Sequence, residues 1–136
     1  MTSTFPRLPA ATTTPALRIV LAEDDREMRC LLEAALRFDG ALVEPLAHGG
    51  ALLARLDSPP LPDLVVTDIR MPGASGVEIL RRARARGLEV PFVVLTGFGT
   101  PDLHAEVAAL RRATLLDKPF DLDDLRTAVA NAARLR

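Results

Sequence analysis

A chain of 136 residues accommodates one ordinary domain with a real core and is too short for two. With 49% hydrophobic residues, 26% charged residues and a formal net charge of -1, it has the balance of a globular protein and lacks the basic excess of a nucleic-acid or membrane-surface binder. One cysteine, Cys30, rules out an intramolecular disulfide, and no apolar run approaches the ~18 residues of a membrane span, so a cytoplasmic location is expected by default.

Residues Met1 to Ala16 (MTSTFPRLPAATTTPA) are rich in Thr, Pro and Ala and offer few periodic apolar positions. A disordered leader is expected there, with one folded domain over 17–136. From Leu17 onward, short apolar runs alternate with longer segments of helical period, the pattern of strands and helices around a parallel sheet. Arg18 to Ala22 (RIVLA) reads as strand one, followed by the acids Glu23, Asp24 and Asp25. Helix one spans Glu27 to Phe38, with Met28, Leu31, Leu32, Ala35 and Leu36 on its inner face and Asp39-Gly40 as its stop. Cys30, inside this apolar stretch, is expected in the core. Ala41 to Leu46 is strand two, placed at a sheet edge by Pro45, and His48-Gly49-Gly50 leads into a short helix ending at Leu56.

Beyond the Pro-rich link from Ser58 to Pro62, Leu64 to Thr67 forms strand three and stops at Asp68. Helix three starts near Ser75 and Gly76 and runs to Gly87. Its arginines, Arg81, Arg82, Arg84 and Arg86, are expected to face water. Pro91 to Leu95 is strand four, closed by Thr96-Gly97-Phe98-Gly99. Pro101-Asp102 opens helix four, which is expected to run to Arg112. Thr114 to Leu116 is strand five, Lys118-Pro119 follows, and Asp123 to Leu135 is an amphipathic last helix with Leu125, Val129 and Ala132 inward. His48 and His104 stand alone and are expected at the surface. Strict alternation of five strands with five helices predicts a doubly wound, flavodoxin-like α/β fold, five parallel strands in the order 2-1-3-4-5 joined by right-handed crossovers.

The ends of strands one, three, four and five carry Glu23-Asp24, Asp68, Thr96 and Lys118, and an open parallel sheet brings those ends to one crevice. Acids at strand ends are often helix caps, and a single lysine or threonine there is usually a solvated or turn residue. Four such groups converging on one crevice point to chemistry. Carboxylates gathered without a cation repel one another, and an all-oxygen set of this kind suits a hard divalent ion such as Mg2+ or Mn2+. With charge offset by that ion and by Lys118, Asp68 is the candidate nucleophile towards phosphorus. The Thr96 hydroxyl and the Lys118 ammonium are the candidate partners of the phosphoryl oxygens.

RIVLAEDD, DLVVTDIRMPG, VVLTGFG and DKPF, in that order and at that spacing, resemble the receiver domains of bacterial response regulators over Leu17 to Arg136. The resemblance implies that Asp68 is the phosphoacceptor. It implies that Asp24 is a direct metal ligand, that Glu23 acts through water, and that the backbone carbonyl of Arg70 and Asp68 itself complete the metal site. Asp25 stands beside this set, outside it. Thr96 matches the switch hydroxyl and Lys118 the family lysine, with a cis bond often preceding the next proline, Pro119. Met71-Pro72 and Gly76 match the loop after the acceptor. The implied function is a two-component signalling switch that catalyses only its own Mg-dependent phosphorylation and dephosphorylation. Its implied partners are a sensor histidine kinase or histidine phosphotransfer protein, and a downstream protein at the face of helix four, strand five and helix five. Neither nucleic acid nor a membrane is implied. A phosphorelay intermediate fits the same residues.

The sequence departs from the family where many receivers carry Tyr or Phe three positions before the lysine. Leu115 stands there, and Arg111-Arg112 replaces the usual Gly-Ala pair ahead of it, so activation is expected to pass through Leu115 or the loop Gly97-Phe98-Gly99. The departures keep open an unphosphorylated scaffold of the same fold. A dehalogenase-like phosphatase would need an acid two residues after the nucleophile, where Arg70 stands, and a flavin module would lack any Trp or Tyr to stack on the ring. The last predicted helix runs to the end of the given sequence, so output is expected to come from another protein, or the chain is an excised domain.

Overall fold

The structure, a computed structural model, describes residues 15–134. The leader expected over 1–16 falls, apart from Pro15 and Ala16, outside the described residues, as does Leu135. Among the described residues ten elements alternate: β1 (Arg18–Ala22), α1 (Arg26–Phe38), β2 (Leu42–Leu46), α2 (Gly49–Leu56), β3 (Leu64–Asp68), α3 (Gly76–Ala85), β4 (Phe92–Thr96), α4 (Pro101–Ala108), β5 (Ala113–Asp117) and α5 (Leu122–Ala133). The strands pair in parallel in the order β2-β1-β3-β4-β5, the doubly wound arrangement expected from the alternation. Pro45 lies in the edge strand β2, where a missing N–H is tolerated.

Successive strand residues point to opposite faces, so each central strand feeds two cores. Ile19, Leu21, Leu64, Val66, Val93 and Leu95 pack with Leu32 and Leu36 of α1 and Leu125 and Val129 of α5. Val20, Val65, Phe92 and Val94 pack with Leu52 of α2, Leu80 and Ala83 of α3, and Val107 of α4. Every helix starts on a side-chain cap. Asp25, His48, Ser75, Thr100 and Asp121 each accept an N–H of the first turn, and Asp121 forms a capping box with Asp124. In a parallel sheet these capped N-termini stand at the C-terminal strand ends, so the positive ends of the helix dipoles rim the crevice.

Four expectations are corrected. Cys30 is exposed, and Leu31 is 52% exposed. The buried stripe of α1 is Leu32, Ala35 and Leu36, with Met28 partly buried against it. Residues 30 and 31 point off that stripe, and Leu31 joins Met28, Phe120 and Leu122 on the rim of an apolar groove. Helix α4 stops at Ala108, short of Arg112, because Arg111 and Arg112 take left-handed backbone conformations with φ of 55° and 47°. Arg84 is buried at 7% exposure. Its guanidinium donates to the carbonyls of Leu110 (2.7 Å), Leu88 (2.8 Å), Arg111 (2.9 Å) and Arg112 (3.2 Å). It also stands 5.6 Å over the Phe92 ring. Burial pulls its pKa down, yet an arginine so placed keeps its charge. It fastens the left-handed turn before β5, which a Gly-Ala pair would adopt with less help.

Arg84→Met leaves those carbonyls without their donor and should cost about 2–4 kcal/mol of folding stability. Urea denaturation measures it, and a loss under about 0.5 kcal/mol, the scale of an ordinary surface change, would contradict this role.

Candidate functional site

The strand order reverses between β1 and β3, and the side chains singled out in the sequence meet at the C-terminal end of that switch point. Glu23 and Asp24 follow β1, Asp68 ends β3, Thr96 ends β4, and Lys118 follows β5. Oxygens of Glu23, Asp24 and Asp68 lie within 4.8 Å of one another. Lys118 Nζ is 3.0 Å from Asp68 Oδ1 and 3.8 Å from Glu23 Oε1. The backbone supports this arrangement: Thr96 lies opposite Asp117 in the β4–β5 register, and Lys118 N–H donates to Thr96 O at 2.7 Å. The Lys118–Pro119 bond is cis.

Asp68 and Thr96 are almost wholly buried, whereas Asp24 is exposed. A small cleft of about 160 Å3, lined by Asp68, Arg70, Thr96, Phe98 and Lys118, opens Asp68 to solvent. Larger apolar grooves, of about 650 Å3 beside α1 and about 470 Å3 near Leu17 and Val129, lack the acid cluster. Gly76, the first residue of α3, sits so close to the β3 backbone that a Cβ there would meet Asp68 O at 2.5 Å.

Glu23 is 1% exposed, and burial, aided by the charge of Asp68, pushes its pKa up despite the opposing pull of the Asp25 N–H and Lys118. Its Oε2 accepts the Asp25 N–H at 3.1 Å, while its Oε1 is buried with no hydrogen-bond partner. A buried carboxylate oxygen without a donor is costly. It becomes reasonable where a cation, or a water on one, completes it. The donors are all hard oxygens, the chemistry that Mg2+ and Mn2+ select, so the residues present fit such an ion. Arg70 lies in the loop after β3, its guanidinium 5.2 Å over the exposed Phe98 ring at the cleft mouth.

Asp25 turns its side chain to α1, accepting the N–H groups of Glu27 and Met28, and so is a cap beside the acid pair. Sequence reasoning missed Arg29, which donates to the carbonyl of Glu23 at 2.8 Å and of Asp24 at 3.4 Å and so holds the acidic turn. Its only sequence signal is a basic residue one turn into a helix that follows an acidic strand end. His48 and His104 are exposed, the first as a helix cap and the second against Asp117.

Comparison with known proteins follows the same lines. The family model described as the response regulator receiver domain matches residues 19–130. A response regulator receiver protein, CpdR of Brucella abortus, is 40% identical over 108 residues, 79% of this chain and 89% of that protein. Sporulation initiation phosphotransferase F of Bacillus subtilis is 32% identical over 82% of this chain and 90% of its own length. Among solved structures, the Francisella response regulator 1452 receiver domain superposes with a TM-score of 0.81 at 20% identity, over 88% of this chain and 98% of that one. The chemotaxis response regulator CheY4 of Vibrio cholerae gives 0.76 at 23% identity, over 87% and 99%.

The exposed Asp24 allows a clean test of the cluster. Asp24→Asn should fold with stability within about 0.5 kcal/mol of the parent while its Mg2+ affinity falls at least about tenfold, because one ligand charge is gone. Calorimetric titration reads both proteins, and equal Mg2+ affinity would remove Asp24 from the cation site.

Proposed function

The chain belongs to the response regulator receiver domain family, and from that premise we propose that it is a two-component signalling switch phosphorylated on Asp68 by a histidine kinase. The observation that carries this is the 3.0 Å pair between Lys118 Nζ and Asp68 inside a cluster of three carboxylates. The Asp68 carboxylate pairs with its cationic neighbour and meets solvent at the small cleft. In the transfer, an Asp68 oxygen attacks phosphorus and the bond from phosphorus to the donor's histidine nitrogen breaks. The nitrogen keeps the electron pair, leaving an acyl phosphate on the aspartate. Lys118 then pairs with a phosphoryl oxygen, and Thr96 donates its hydroxyl to another. A divalent cation held by Glu23, Asp24, Asp68 and the Arg70 carbonyl would supply further positive charge for the phosphoryl oxygens.

Receiver domains are switches, and their output is a changed surface. Here that surface is the face of α4, β5 and α5, read by a partner protein in a cytoplasmic setting. No helix among the described residues is long and apolar enough to cross a membrane. The likeness to a protein named a phosphotransferase favours a second reading, in which Asp68 hands the group on to a histidine phosphotransfer protein.

Incubation with acetyl phosphate and Mg2+ should add one phosphoryl group by intact mass, with none added to Asp68→Asn or without the cation. Folded, Mg2+-binding protein that gains nothing would turn the reading towards a binding scaffold. The Arg70–Phe98 stack at the cleft mouth shields the acyl phosphate from water, so Phe98→Ala and Arg70→Asn should both lose the group faster than the parent. Unchanged decay rates would remove the stack from the account.

A further inference from the structure

Next to the site, a small polar cluster ties the end of β5 to α4. His104 Nε2 lies 2.9 Å from Asp117 Oδ2, and a carboxylate accepts, so the ring nitrogen is the donor. The same carboxylate presses on Gly99, where a Cβ would stand 1.7 Å from Asp117 Oδ1 and 3.0 Å from His104 Nε2. A Cβ at this position would crowd the carboxylate in the slot where it meets His104.

The cluster sits where two of the segments that carry site side chains meet, those of Thr96 and Lys118. Asp117 immediately precedes Lys118, and strand alternation sends their side chains to opposite sides. Lys118 faces Asp68 at 3.0 Å, and Asp117 faces α4. Gly99 follows Thr96 by three residues, and the loop between them is held by the Phe98 N–H donating to Thr96 Oγ1 at 3.1 Å. Two residues back on the same face of β5, Leu115 is partly buried against the core beneath α4, an aliphatic side chain with no hydroxyl to exchange partners.

Resting on the switch reading above, we propose that the His104–Asp117 hydrogen bond, seated on Gly99, is a latch that couples phosphorylation of Asp68 to the position of α4. His104 and Asp117 are its positioning residues. In the unphosphorylated protein the latch is closed. When Thr96 turns its hydroxyl to a phosphoryl oxygen it draws the Phe98 amide, and with it Gly99, away from the carboxylate. Lys118 shifts towards the new oxygens and carries Asp117 with it. The bond to His104 breaks, and α4 loses its tether to β5. Coupling of this kind is reciprocal: whatever opens the latch in advance lowers the cost of the phosphorylated arrangement.

The test uses beryllofluoride, which occupies an acceptor aspartate as a phosphoryl analogue, with the full chain and saturating Mg2+. His104→Ala, Asp117→Ala and Gly99→Ala should each bind it at least about fivefold more tightly than the parent. The Gly99 variant keeps both partners and only fills their slot. His104→Ala combined with Asp117→Ala should bind no more tightly than either alone, as members of one interaction behave. His104→Gln, which retains an N–H donor at similar reach, should stay near the parent. A residue that merely supported the fold would not tighten this site when removed. Parent-like or weaker binding in the three single variants overturns the latch and leaves the switch reading standing. Failure of the parent itself to bind beryllofluoride overturns both.

Discussion

Like charges held together at one end of the sheet are the constraint around which the rest is arranged. Glu23, Asp24 and Asp68 bring oxygens within 4.8 Å of one another, two of the three residues are buried, and Lys118 is the ammonium that faces them. Repulsion in a low-dielectric surrounding grows as water is removed. The fold answers with several placed positive groups. Lys118 is fixed by its N–H bond to the Thr96 carbonyl, Arg29 grips the acidic turn from behind, and the capped N-termini of the helices point their dipoles at the rim. None of these completes Glu23 Oε1. That oxygen without a hydrogen-bond donor fits the cluster to a cation, the condition under which the proposed phosphoryl transfer to Asp68 would run.

The opposite end of the sheet shows what a purely structural buried charge looks like in the same molecule. Arg84 is as buried as Asp68, but its donors go to the carbonyls of Leu88, Leu110, Arg111 and Arg112 and its face is covered by Phe92. A group so satisfied has no capacity left for a ligand and serves to hold backbone, here the left-handed turn into β5. Local inconsistency at the acid cluster and local completeness at Arg84 separate function from support.

The sheet was legible in the sequence because parallel strands buried on both faces read as short β-branched runs between breakers. RIVLA, LVVT and PFVVL fall within a residue of β1, β3 and β4. The site was legible for a related reason: its chemical residues sit at strand ends, where topology alone brings them together. What could not be read depends on azimuth and on long-range partners. Leu31 and Cys30 lie in an apolar stretch of α1 but point off its buried stripe, and the period does not say how wide that stripe is. Arg84 looked like one member of a solvated arginine run. Its burial follows from carbonyls more than twenty residues away that no local pattern announces. The early end of α4 follows from left-handed arginines in a place where sequence rules expect glycine.

Asp24 is exposed and Glu23 is buried beneath it, so the central claim is that, of three carboxylates in one cluster, Asp68 alone is the nucleophile. An acyl phosphate on an aspartate is reduced by borohydride to homoserine, which marks the residue that carried it. The most direct measurement is therefore peptide mapping after phosphorylation and borohydride reduction. Homoserine at position 68 and at no other aspartate is the predicted result, and the mark at position 24, or at any acid outside the cluster, would contradict the account.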